Sequence, residues 1–161
     1  MKRFDELNEA EVLALAISSE EDDSRIYLNF AAKLRAEFPA SARVFEEMAA
    51  EEQGHRHMLL ELYERKFGTE LPLITRSDVK GFLKRNPVWL MEGLNLDAAR
   101  KQAELMEYEA AAFYSKSAER ARDTEVRKLL GDLAAIEKGH EAHAGELSET
   151  HLTEGARAAE D

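Results

Sequence analysis

The sequence predicts an all-α protein, a bundle of four helices arranged as two hairpins, on the strength of three observations. Breakers are few, with 8 Gly and 3 Pro in 161 residues, while Ala, Glu, Leu, Lys and Arg abound. Apolar residues recur at steps of three and four along four long stretches, and no alternating β-branched run bounded by turns interrupts them. A connection far longer than a hairpin turn then divides the four stretches into two pairs. The chain is one domain's worth of protein and can bury a sizeable core.

The first helix is predicted from about Asn8 to Glu37, stopping ahead of Pro39, because a residue before proline disfavours helix. The second runs from about Ala40 to Phe67, where Gly68 supplies a stop. Asp97 reads as the cap of a third helix reaching about Arg122, and Asp123-Thr124 as the cap of a fourth that fades near Ser148. Between the pairs, Thr69 to Leu96 is broken by Pro72 and Pro87, with Ser77 as the cap of a short helix from Asp78 to Arg85. The domain therefore spans residues 1–148, and 149–161 form a flexible acidic tail.

Charge and composition exclude several classes of function. A net charge of −11 argues against nucleic-acid binding, which needs a clustered basic surface. With no cysteine, disulfides, thiolate metal sites and cysteine catalysis are excluded, and a reducing cytoplasm fits. The amino terminus runs from Met1 straight into charge, and no window approaches ~18 uninterrupted apolar residues. A soluble, cytoplasmic chain without direct membrane insertion is expected.

An internal repeat links the two hairpins. Glu20 and Tyr27 recur as Glu107 and Tyr114, and Glu52-Gln53-Gly54-His55 recurs as Glu137-Lys138-Gly139-His140, with Ala49-Ala50 echoed by Ala134-Ala135. Two Glu-x-x-His matches are near what chance supplies in so glutamate-rich a chain. Their positions carry the argument. The apolar stripes read Leu13, Ala16, Glu20, Tyr27 in helix one and Phe45, Met48, Glu52, His55, Leu59 in helix two. In helices three and four they read Ala103, Glu107, Ala110, Tyr114 and Leu133, Glu137, His140, Ala144. Each core-facing stripe is thus broken by Glu, and polar residues at core positions are errors unless they have a function.

The six residues also sit at matching distances from their hairpin turns, so Glu20, Glu52, His55, Glu107, Glu137 and His140 can converge on one mid-bundle layer. Four carboxylates in a buried layer would repel, and each unpaired buried charge costs several kcal/mol. Two divalent ions would neutralise them, with one imidazole for each ion. Oxygen and nitrogen donors of this kind suit iron or manganese, and zinc would also bind. One Glu from each of two helices plus Glu-x-x-His from the other two is a known recipe for two irons.

These paired Glu…Tyr and Glu-x-x-His elements resemble the rubrerythrin branch of the ferritin-like superfamily, over about residues 8 to 148. The resemblance implies a ferritin-like four-helix bundle with a long crossover between helices two and three, and a centre of two Fe ions. It implies that Glu52 and Glu137 bridge the metals while Glu20 and Glu107 bind terminally. It adds Glu104 as a further carboxylate ligand, whose repeat partner is Ile17. A fifth carboxylate would favour the ferric over the ferrous pair. Rubrerythrins usually append a rubredoxin-type domain with four cysteines, which this chain lacks, so peroxide reduction would need an external electron donor.

The connector, with Ser77-Asp78-Val79-Lys80-Gly81-Phe82-Leu83-Lys84-Arg85 and Pro87-Val88-Trp89-Leu90, is similar to a narrower group. In bacterial membrane-bound ferritins a rubrerythrin-like unit is fused to a vacuolar-iron-transporter-type membrane domain. That resemblance implies a cytoplasmic-side domain, tethered to a membrane partner, in iron detoxification or export. The expected activity is ferroxidase-type oxidation of ferrous iron by dioxygen or peroxide. The alternatives are peroxide reduction and a non-catalytic iron-sensing or dimerisation module. A homodimer is expected, and the long connector would permit helix exchange.

The remaining polar residues divide more simply. Tyr27 and Tyr114, the candidate catalytic pair, either hydrogen-bond the carboxylate ligands or are buried tyrosines with satisfied hydroxyls. His57 is expected to face solvent, His151 lies in the tail, and His143 is expected to play no metal role. Of the acidic run Glu20-Glu21-Asp22-Asp23, only Glu20 is expected to turn inward. Trp89 is expected to plug the bundle or to make a dimer contact.

Overall fold

The computed structural model describes residues 1–82 and 95–140. The expected tail, the end of helix four near Ser148, Trp89, His143 and His151 lie outside the described residues. After a 3-10 turn at Phe4–Glu6 come α1 (Glu9–Leu34), α2 (Pro39–Phe67) and α3 (Leu96–Arg120). A fourth helix, α4, begins at residue 124 and is helical through 140. Among the described residues there is no strand, only an isolated parallel bridge between Lys2 and Val79. The expected all-α four-helix bundle is the fold.

Local chemistry sets the helix ends. Asn8 opens α1 with a capping box: its side chain accepts from the Glu11 N–H at 2.8 Å, and the Glu11 carboxylate accepts from the Asn8 N–H at 3.2 Å. The helix ends at Leu34, short of Glu37, because a tight turn precedes Pro39. Pro39 occupies the first turn of α2, where a missing N–H loses no helical hydrogen bond. Gly68 terminates α2 at φ 91°, a conformation that favours glycine, and its N–H donates to the Glu64 carbonyl at 3.2 Å.

The cap of α3 is Asn95, not Asp97. The Asn95 side chain accepts from the Ala98 N–H at 2.8 Å, while Asp97 sits inside the first turn and pairs with Arg100 at 2.8 Å and Lys101 at 3.1 Å. The helix stops at Arg120, with Ala121 extended beyond it. Asp123 caps α4 as expected, its Oδ1 accepting from Glu125 at 2.9 Å and Val126 at 3.1 Å.

The short helix expected from Asp78 does not form over residues 78–82. Thr75, not Ser77, opens a 3-10 turn at Arg76–Asp78, and Asp78 returns its carboxylate to the Thr75 N–H at 2.9 Å. The next backbone groups pair with the amino terminus: Lys2 N–H donates to the Asp78 carbonyl and Lys80 N–H to the Lys2 carbonyl, each at 2.9 Å. Backbone committed to that bridge cannot also propagate a helix.

Core packing fixes the helix directions. One apolar cluster joins the start of α1 (Leu13, Leu15), the end of α2 (Leu59, Leu62), Phe113 and Tyr114 of α3 and Val126, Leu130 and Leu133 of α4. The other joins Phe30 and Leu34 of α1, Ala42 and Phe45 of α2 and Leu96, Ala99 and Ala103 of α3. Hence α1 and α2 are antiparallel, and α3 starts beside the start of α2. Between the two apolar clusters lies a layer of buried carboxylates.

Candidate metal centre

The layer contains the six residues that the stripes single out. Glu20, Glu52, Glu107 and Glu137 are only 2%, 2%, 3% and 1% exposed, and His55 is buried as well. Such burial without solvent screening makes their mutual repulsion severe. Glu20, Glu52, His55 and Glu137 form one group, and Glu52, Glu107, Glu137 and His140 a second. In each, one ligand atom per residue lies within 4.8 Å of the others. Glu52 and Glu137 belong to both groups. Glu20 and Glu107 each belong to one.

The histidines face each other across this layer, their rings 6.2 Å apart and inclined by 16°. His55 Nδ1 stands 3.4 Å from Glu137 Oε1, 3.7 Å from Glu20 Oε1 and 3.9 Å from Glu52 Oε2. His140 Nδ1 lies 3.1 Å from Glu107 Oε2 and 3.4 Å from Glu137 Oε2. Two tyrosines cross the bundle to the outer carboxylates. The Tyr27 hydroxyl donates to Glu107 Oε1 at 2.7 Å, and the Tyr114 hydroxyl donates to Glu20 Oε1.

Without metal the charges are balanced by protons. Burial pushes Glu52 well above the usual carboxylate range, reinforced by Glu20, and pushes Glu107 up to about 7. Burial would also raise Glu137, but the two imidazoles outweigh it and hold that carboxyl well below its ordinary range. His55 rises to about 9 because the carboxylates of Glu137 and Glu20 overcome a burial effect that opposes its charge. His140 rises to about 10, chiefly through Glu107 and Glu137. Burial raises both tyrosines well above 10, so Tyr27 and Tyr114 remain protonated donors.

The donor set fits a metal pair on an observation independent of charge. Glu20 Oε2, Glu52 Oε1, His55 Nδ1 and both oxygens of Glu137 are buried and have no hydrogen-bond partner. Buried polar atoms are nearly always paired, and five of the eight such orphans among the described residues lie on the ligand side chains, the others being on Ser19, Arg56 and Ser117. Divalent cations would satisfy the five together.

Two residues behave differently from expectation, and two more contribute without having been foreseen. Glu104 is not brought into either group; it lies on the flank of α3, 3.3 Å from the Arg100 guanidinium. Asp23, expected to face water, is 5% exposed and accepts from Arg76 at 2.9 Å. Arg76 reaches it from the connector, a pairing across 53 positions that no local pattern announces. Glu51 sets its Oε2 2.8 Å from His140 Nε2, backing the imidazole on the side away from the carboxylate layer. Its repeat counterpart is Ile136, so the duplication gave no hint of it. His57 is exposed, as expected.

A four-helix bundle holding a largely buried Glu4His2 layer in two overlapping groups is a ferritin-like arrangement that could hold metal. The chain belongs to the rubrerythrin family, whose model matches residues 11–148. Rubrerythrin domains bind a pair of irons, and the buried carboxylate and histidine groups described above can hold a metal. Among solved structures, a hypothetical protein from Pyrococcus furiosus superposes with a TM-score of 0.73 at 26% identity, covering 93% of this chain and 94% of that one. No curated protein sequence matches. Among the described residues, no helix is long and apolar enough to cross a membrane.

Proposed function

We propose that this chain binds two ferrous ions in the carboxylate layer and oxidises them, a ferroxidase-type activity serving iron detoxification or export. The observation that carries this reading is the set of buried oxygens on Glu20, Glu52 and Glu137 without a hydrogen-bond partner, gathered where bound cations would satisfy them. Glu52 and Glu137 would be shared between the two ions, with His55 and Glu20 completing one side and His140 and Glu107 the other. The site's oxygen-rich donor set suits iron or manganese, and zinc is a further substitute.

Each turnover removes one electron from each of two ferrous ions, the substrate. The electron pair passes with two protons to dioxygen, giving hydrogen peroxide, or to hydrogen peroxide, giving water. The protein's own part is to fix ligand geometry and to exclude bulk solvent from the layer. Tyr27 and Tyr114 hold the outer carboxylates in place.

The similarity of the connector to that of membrane-bound ferritins supports a cytoplasmic-side role beside a membrane transport domain, and a homodimer belongs to the same reading. The test is metal content per chain after anaerobic ferrous loading, followed by stopped-flow absorbance on mixing with dioxygen or with peroxide. Two irons per chain and oxidation faster than in buffer are expected. Iron that binds and stays ferrous with both oxidants would overturn the activity, and rapid reaction with peroxide alone would make the protein a peroxide reductase.

A further inference from the structure

The outward side of α3 carries an apolar patch. Leu105 is 51% and Tyr108 65% exposed, and Ala112 is exposed too. Positions i, i+3 and i+7 share one side of a helix, here the side opposite Ala103, Glu107 and Tyr114, which α3 buries. Scattered apolar side chains are ordinary on a surface, but a joined patch marks a binding face. Lys101 and Glu119, both exposed, stand at its two ends. They are 18 positions apart, five whole turns of 3.6 residues, so they lie on one line along the same side. Lys101 pairs with Asp97 at 3.1 Å, an exposed contact that is easily shared, and Glu119 has no ion pair among the described residues.

Resting on the homodimer that the reading above includes, we infer that this face pairs α3 with α3 of a second copy, the two running antiparallel about a twofold axis at the level of Ala110. Two symmetries of the sequence point there. Lys101 and Glu119 are equidistant from Ala110, and so are Tyr108 and Ala112. A twofold axis at that level brings each Lys101 beside the partner's Glu119, and each Tyr108 ring over the partner's Ala112, bulk against a small residue. Parallel pairing in register would set lysine against lysine and glutamate against glutamate, and an unrelated partner would need neither symmetry. The face of one helix is smaller than the roughly 1,200–2,000 Å² that a stable interface buries in total, so the dimer should dissociate on dilution. Glu107 adjoins Tyr108 in sequence, so the two carboxylate layers would flank the axis.

Sedimentation equilibrium of the full chain over a wide range of concentration is the test. Wild type should pass from monomer to dimer. Ala112→Arg puts a good helix former at an exposed site and should stay monomeric, with unchanged helical circular dichroism. Lys101→Glu and Glu119→Lys each set like charges together across the axis and should weaken the dimer about tenfold, and the double variant should recover wild-type association. A wild type that stays monomeric throughout would overturn the interface, as would a dimer that persists in Ala112→Arg. A double variant no tighter than either single one would overturn the antiparallel register. Iron content per chain is read in the same samples: a monomer that holds two irons sinks only this face, and a dimer that holds none sinks only the metal-pair reading.

Discussion

Tyr27 of α1 hydrogen-bonds Glu107 of α3 at 2.7 Å, and Tyr114 of α3 returns the same bond to Glu20 of α1. Each hairpin therefore holds the outer carboxylate of the other. Removing the hydroxyl leaves a buried carboxylate short of a donor, so Tyr27→Phe should destabilise the metal-free protein by about 1–3 kcal/mol. Urea unfolding followed by circular dichroism measures this, and Tyr114→Phe should behave alike.

The two groups share Glu52 and Glu137 but not Glu20 or Glu107. Alanine at either shared position should abolish the metal pair, whereas Glu20→Ala should spare a metal on the His140 side. Elemental analysis of each purified variant distinguishes the two patterns. Glu104→Ala, whose carboxylate is turned to Arg100, should keep the full complement.

Protons and metal compete for the layer. Without metal at pH 7, His55 (about 9) and His140 (about 10) are charged, and Glu52 is pushed well above its ordinary value. Metal ligation needs neutral imidazoles and ionised carboxylates, so loading at pH 7 should release a proton from each imidazole and further protons from Glu52 and Glu107. Apparent affinity must therefore rise with pH. Titration calorimetry in buffers of different ionisation enthalpy counts the protons, and a release near zero would contradict the ligand set.

Glu51 backs His140 Nε2 at 2.8 Å while Nδ1 faces the layer. Partners of this kind orient a ligating imidazole, and their loss typically lowers metal affinity about 10–100-fold. Glu51→Gln should weaken one metal position by that order and leave the other unchanged, as stepwise competition with a chelator would show.

Gly54 and Gly139 lie within α2 and α4, and a methyl group at either would meet nothing within 4 Å. Alanine at each should stabilise the monomer by about 0.5–1 kcal/mol through helix propensity. Thermal melts decide this, and destabilisation would point to a partner packed against that helix face.

What the sequence disclosed followed from periodicity. Steps of three and four placed Glu20, Glu52, Glu107 and Glu137 inside the core, and a helix transmits such spacing faithfully into space. Helix ends were less legible because short-range competition decides them. Asn95 and Asp97 are both good caps, and what separates them is that Arg100 and Lys101 engage Asp97. The stretch after Asp78 depends on Lys2, at the other end of the chain, so no local pattern predicts its bridge.

Long-range pairing hid the rest of the site. Asp23 follows Glu20 in an acidic run that reads as solvated, and Arg76, folded back from the connector, pairs with it in its buried position. Glu104, a ligand by its place in the family motif, lies 3.3 Å from Arg100 one turn earlier, a pairing the motif does not announce.

The shared position of Glu52 and Glu137 has a mechanical consequence. Neither hairpin owns a full set of donors for either ion, since each group borrows from the opposite half. Cations in the layer would act as rivets between the two halves. A protease that nicked the backbone after Gly68 should leave two pieces still joined by the apolar clusters, and stripping the ions with a chelator should then let them separate at a lower urea concentration than when loaded.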